Sequence, residues 1–247
     1  MIVNEVMTTN LVTVTPEDTL GHAANLLRQH QFHHLPVVKA SSTVRTWPTN
    51  QPTQRPKLVL EGLVTSQDID IATVIDTQSS GDLPLQPWQE RRVAEVMHPA
   101  PITVTPTTSV AAAAQILVER GINCVPVVEY KGIEPGEESS ALLAGLLTRS
   151  DILIAMARSL GAFEPGMELR IALPVGDMTP LADVLCLARE LHIKVQSVLA
   201  APLEGGIPRI ATVRLGTIHP TPLLLRLRKA NINYTLADGA VEGGSHV

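Results

Sequence analysis

Two Thr-x-x-Asp segments are the residues in this chain best placed to do chemistry. They are Thr65 to Asp68, within "GLVTSQDI" at 62–69, and Thr148 to Asp151, within "GLLTRSDI" at 145–152. A threonine in this setting caps a helix N-terminus, and a carboxylate three residues on favours the positive end of the helix dipole. The pairing is close to a capping box, with Asp shorter than the usual Glu or Gln. A second polar pair, His33 and His34, stands directly ahead of the apolar run "LPVV". Imidazoles titrate near neutral pH, so the pair suits either a contact that changes with pH or a satisfied structural role. No Ser/His/Asp order, Walker loop or metal-spaced His/Cys/Asp cluster accompanies these residues, so no catalytic site is expected. His98, His192 and His219 are scattered and attract no role.

The elements that must hold these residues occur twice. Residues 5–38 lie over residues 95–128 without a gap, and Met7/Met97, Pro16/Pro106 and Pro36/Pro126 are each 90 positions apart. The Gly-x-x-Thr segments are 83 apart, so the first copy has a connecting loop seven residues longer. Two copies are too few for a solenoid, and a pseudo-twofold pair sharing one core is the expected arrangement. In each copy a β-branched run ("LVTVT", "PITVT") ends at a proline and predicts a short strand. Leu20, Ala23, Ala24 and Leu27 then fall at helical spacing, as do Val110, Ala113, Ala114 and Leu117, and Gly121 closes the second helix. Strands "LPVVK" and "VPVVE" follow, with Pro36 and Pro126 at an edge or a strand start. A second strand and the Thr-initiated helix complete each copy.

From about residue 166 the order becomes strand, helix, strand, strand, helix, strand, the ferredoxin-like βαββαβ pattern. Leu181, Val184, Leu185 and Ala188 share one face of its first helix. The expected organisation is a first repeat at 1–76, a linker at 77–90, a second repeat at 91–165, the βαββαβ domain at 166–239, and a disordered tail at 240–247. The fold class is α+β. The loop around Trp47 reads as mobile.

Composition narrows the function. Aromatics are 2% and the net charge is −5, so neither base stacking nor a phosphate backbone is a suitable partner. Cys124 and Cys186 are isolated and predict buried reduced thiols, which fits a cytoplasmic setting. No signal peptide and no membrane-inserting run is expected.

The paired "VMT", "TVTP", "PVV" and G-h-h-T-x-x-D-I elements (h, apolar) resemble a tandem of CBS domains, a Bateman module, over residues 1 to about 160. The last 80 residues resemble an ACT domain by element order, and together the parts are similar to the acetoin-utilisation B-like family. The resemblance implies a non-catalytic regulatory sensor of an adenosine ligand such as AMP, ADP or ATP. It has no cofactor beyond that ligand. Asp68 and Asp151 would accept from the ribose hydroxyls, since one carboxylate offers several lone pairs to a diol. Thr65 and Thr148 would sit beside the phosphate at a helix start, and His33 and His34 would contact phosphate, with AMP binding weakening from pH 6.5 to 8. It further implies a homodimer and a target enzyme or transporter. In the ACT-like part, "VGDMTPLADV" carries Pro180 where amino-acid-binding members have a glycine, so dimerisation is the expected role there. The alternatives are a structural interaction protein whose Thr-x-x-Asp segments only cap helices, or an accessory factor of acetoin or acetyl metabolism.

Overall fold

The structure, a computed structural model, describes residues 1–40, 58–78, 87–130, 140–174, 177–200 and 206–236. The loop around Trp47, linker residues 79–86, Gly176 and the tail lie outside these residues. The chain divides into two compact units, Met1–Ile152 and Leu153–Val247, with the division inside a helix ahead of residue 165.

In the first unit, copy one supplies α1 (Leu20–His30), β1 (His34–Ala40), β2 (Leu58–Thr65) and α2 (Ser66–Gln78). Copy two supplies β3 (His98–Pro99), α3 (Val110–Glu119), β4 (Cys124–Tyr130), β5 (Ala141–Thr148) and the start of α4 (Arg149–Ser159). The strands form one antiparallel sheet in the order β1-β2-β5-β4, with β3 added to β2. The copies meet at its centre, where Val59 pairs with Leu142. Thr19 and Ser109 cap α1 and α3 by accepting from the His22 and Ala112 amides. The helices end alike in the left-handed region, at Gly121 (φ 65°) in copy two and at Gln31 (φ 55°) in copy one. The left-handed conformation is free for glycine and costs a side-chain-bearing residue about 1 kcal/mol.

The expected strands "LVTVT" and "PITVT" are single bridges, Val14 to Val37 and Val104 to Val127, both parallel. Val14 donates to the Pro36 carbonyl and accepts from Val38, and Val104 repeats this with Pro126 and Val128. The next parallel bond on one side needs an N–H at position 36 or 126, and on the other at position 16 or 106. All four positions are proline, which has none. The repeated prolines therefore confine each ladder to one residue. Pro36 and Pro126 themselves lie in β1 and β4, the strands that end the sheet.

The repeats also exchange their opening segments. Val3 belongs to the core of copy two with Val104, Leu117 and Leu147, and Val6 and Met7 pack against it. Val93 belongs to the core of copy one with Leu20, Leu35 and Val64, joined by Val96 and Met97. Each "VM" segment thus lies on the other copy, Thr8 bridging Leu146 and His98 pairing with Leu63. The crossing is close. A Cβ on Gly145 would stand 2.7 Å from Met7 Sδ and 2.9 Å from the Thr8 carbonyl oxygen. One on Gly62 would stand 3.0 Å from Met97 Sδ and 2.9 Å from the His98 carbonyl oxygen. Both strand pairs carry a register shift at the residue facing this glycine, after Val37 and after Val127.

The second unit contains β6 (Met167–Ala172), α5 (Thr179–Glu190), β7 (Val195–Leu199), β8 (Ile210–Leu215), α6 (Thr221–Lys229) and β9 (Tyr234–Leu236). Its strands pair antiparallel in the order β7-β8-β6-β9, which makes two split β-α-β units. Leu169, Ile171, Ala211, Val213 and Leu215 alternate onto the face that packs with Val184 and Ala188 of α5 and Leu223 and Leu227 of α6. Pro180 and Pro222 sit in the first helical turn, where an amide has no intrahelical partner to lose.

Candidate functional site

Both Thr-x-x-Asp segments stand where a strand passes directly into a helix, β2 into α2 and β5 into α4. The caps are reciprocal. Asp68 Oδ2 accepts from the Thr65 amide and hydroxyl, each at 2.7 Å, and the Asp68 amide donates back to Thr65 Oγ1 at 3.2 Å. Asp151 repeats the set with Thr148 at 2.8, 2.7 and 3.2 Å. One carboxylate oxygen of each Asp is therefore committed to holding its own helix start. The other, Oδ1, is what each half-site has to offer.

The two Oδ1 atoms face different residues. Asp68 Oδ1 lies 2.9 Å from His98 Nε2. A carboxylate only accepts, so Nε2 carries a proton in this contact. Asp151 Oδ1 faces the Thr8 hydroxyl at 3.4 Å, beyond the ordinary O–H···O range. His98 and Thr8 are counterparts, 90 positions apart, each delivered by the exchanged segment after Met97 or Met7.

Asp151 opens onto a cavity of about 520 Å3 lined by Thr8, Asn10, Phe32, His33, His34, Asn123, Thr148, Arg149 and Ser150 among others. The structure thus gathers Thr148, Asp151, His33 and His34 at one site, with the histidines coming from the other copy. Thr65 and Asp68 form the second half-site. The positive end of the α4 dipole lies on this side of the cavity, where the Arg149 amide donates to the Asn123 carbonyl at 3.1 Å and the Asp151 amide to Thr148 Oγ1. Arg149 Nη2 also donates to the Leu117 carbonyl at 3.0 Å, which fixes its direction.

Positions 34 and 124 are also counterparts, 90 residues apart. Burial, with help from neighbouring His33, lowers the pKa of His34 below the usual 6.5, against an opposing pull from Asp68. His34 therefore gives up its proton more readily than a free imidazole does. Burial, helped by the Asp151 charge, pushes Cys124 up to about 12, so it remains a thiol. Cys186 is exposed, contrary to the expectation that both cysteines are buried: its position on α5 faces away from the stripe formed by Val184 and Ala188.

Sequence reasoning passed over His98 and Thr8. The 90-residue register could have found them, because it sets both immediately after a repeated methionine. Among the described residues no group of three His, Cys, Asp or Glu side chains could hold a metal, and no helix is long and apolar enough to cross a membrane.

Known proteins resemble parts of this chain. The CBS domain model matches residues 3–44 and 93–158. The CBS domain-containing protein YhcV of Bacillus subtilis is 28% identical over 131 residues, covering 53% of this chain and 75% of YhcV. A protein of Vibrio cholerae described as an acetoin utilization protein, AcuB, superposes with a TM-score of 0.46 at 23% identity, covering 67% of this chain and 98% of that one. CBSX2 of Arabidopsis thaliana, solved in complex with AMP, gives a TM-score of 0.44 at 24% identity, covering 63% and 95%. The segments that the CBS domain model matches fall within the two sequence repeats, one in each.

Proposed function

We propose that the protein is a non-catalytic regulatory sensor that binds an adenosine ligand and passes its state to a partner protein in the cytoplasm. The observation that carries this reading is the Asp151 cavity. A carboxylate oxygen with no short hydrogen bond of its own borders a space large enough for a nucleotide, beside a helix N-terminus. A ribose diol fits that oxygen, and a phosphate fits the positive end of α4 at Ser150, since the Arg149 and Asp151 amides on either side already donate to the Asn123 carbonyl and Thr148 Oγ1. His33 and His34 close the same cavity from the other copy. Asp68 with Thr65 is the related half-site.

The second unit's split β-α-β order supports reading it as an ACT-type, ferredoxin-like domain that serves association. Exposed apolar side chains favour a homodimer: Ile71 on α2 is 52% exposed, and Leu153 on α4 is 70% exposed. A ligand shifts such an assembly only by binding one of its states better than the other.

The reciprocal Thr–Asp hydrogen bonds favour a second reading, in which both segments only cap helices in a structural interaction protein. A thermal-shift screen with AMP, ADP, ATP, cyclic di-AMP, S-adenosylmethionine and NAD separates the two. A ligand at a hundred times its Kd adds about 2.7 kcal/mol to the folded state and raises its Tm. No shift with any of the six leaves the capping reading standing.

A further inference from the structure

We infer that His98 is a built-in latch on the Asp68 half-site, standing where a ribose hydroxyl would stand, so that the two half-sites are unequal and the Asp151 cavity fills first. The inference rests on the reading of these carboxylates as ribose acceptors.

Asp68 has little left to offer a ligand. Oδ2 receives two donors from Thr65, and Oδ1 receives the His98 imidazole at 2.9 Å. The Asp68 side chain is only 11% exposed, so a diol must meet it by displacing an existing partner. At Asp151 the same oxygen faces only a hydroxyl at 3.4 Å. A threonine side chain is short and leaves the oxygen approachable, whereas an imidazole reaches it and fills the space in front.

The latch is anchored by its backbone and free at its tip. His98 pairs with Leu63 and Pro99 with Gly62, and Met97 lies against Gly62. Ala100, two residues on, has a φ of 50°, a conformation that a side-chain-bearing residue takes only when its surroundings impose it. The backbone is therefore held while the ring, in a side chain 65% exposed, can rotate into water without leaving a packed site. Such a contact slows and weakens a competitor without abolishing it. A hydrogen bond to a charged acceptor, discounted for this exposure, corresponds to about a tenfold loss of affinity.

Calorimetry of the full chain with AMP as the probe tests this. The parent is expected to show one strong event per chain and a second about tenfold weaker. His98→Thr, which gives copy one the residue of copy two, should bring the second event to within about threefold of the first. His98→Thr combined with Asp68→Ala should remove it again. The reciprocal Thr8→His should weaken the strong event about tenfold. Melting temperatures of all variants report whether the fold survives. Two equal events in the parent overturn the latch, as does a weak event that His98→Thr leaves unchanged; either result leaves ribose binding intact. If neither the parent nor His98→Thr binds AMP or adenosine, ribose binding itself falls and takes the latch with it.

Discussion

The two half-sites of the first unit share a cap and differ in what meets the remaining oxygen. Thr65–Asp68 and Thr148–Asp151 superimpose bond for bond, yet one carboxylate meets His98 and the other only a distant Thr8. The shared part is local, set within four residues by the turn from strand to helix. The differing part arrives from the other copy on the exchanged segment. A repeat can thus keep its folding chemistry while its binding chemistry diverges, because separate stretches of chain supply the two.

Breaking the exchange itself should have the largest effect. Gly145→Val puts a branched side chain against Met7 Sδ and the Thr8 carbonyl, and Gly62→Val does the same to Met97 and His98. A methionine tip can give way, but a paired backbone carbonyl cannot. Each substitution should cost about 2–3 kcal/mol in urea unfolding, as overpacking does. A loss below about 0.5 kcal/mol at both positions would show that the segments cross less tightly than described.

The carboxylates come next. Asp151→Ala should weaken AMP binding by about 1–3 kcal/mol, through loss of an acceptor in a partly enclosed site. Asp68→Ala should change the strong binding event much less. Both should lower stability by a similar amount of about 1 kcal/mol, since both remove the same capping bonds. Titration of each variant with AMP, beside its urea midpoint, separates the two roles. Equal losses of affinity at both positions would erase the difference between the half-sites.

Much of this was legible in the sequence because it was local or periodic. The 90-residue register marked both copies, and the runs "MELRIALPV" and "PRIATVRLGTI" marked the strands β6 and β8. The caps were legible because Thr and Asp answer each other three residues apart. The partner of each Oδ1 was not, because nothing in "EVMTTN" or "EVMHPA" says that it crosses to the other copy. The repeated Gly62 and Gly145 held the clue. Read alone they suggest only a flexible strand, and it takes the methionines over them to show a close approach. The strands at Val14 and Val104 were overcalled because β-branched residues signal a strand, while the missing N–H groups of four prolines decide its length.

The smallest expected effect concerns the counterparts His34 and Cys124, which test whether the copies also differ in their response to pH. Burial and His33 hold the His34 pKa below its unfolded value of 6.5, with Asp68 opposing. Below pH 6.5, and down to the folded-state pKa, the unfolded chain therefore binds this proton more readily than the folded one. Stability attributable to His34 is complete above pH 6.5 and is lost as the pH falls through that window. Copy two has no matching loss, because Cys124, pushed up to about 12, does not titrate there. Urea midpoints at pH 7.5 and 5.5 should fall more for the parent than for His34→Gln, with the two proteins differing little at pH 7.5. A phosphate beside His34 reverses the penalty by favouring the imidazolium. AMP binding should therefore take up protons at pH 5.5–6.5, visible as a buffer-dependent enthalpy that His34→Gln diminishes and that adenosine lacks. An uptake of equal size in His34→Gln, or with adenosine, would remove His34 from the phosphate end of the cavity and leave it a half-buried structural residue at the start of β1.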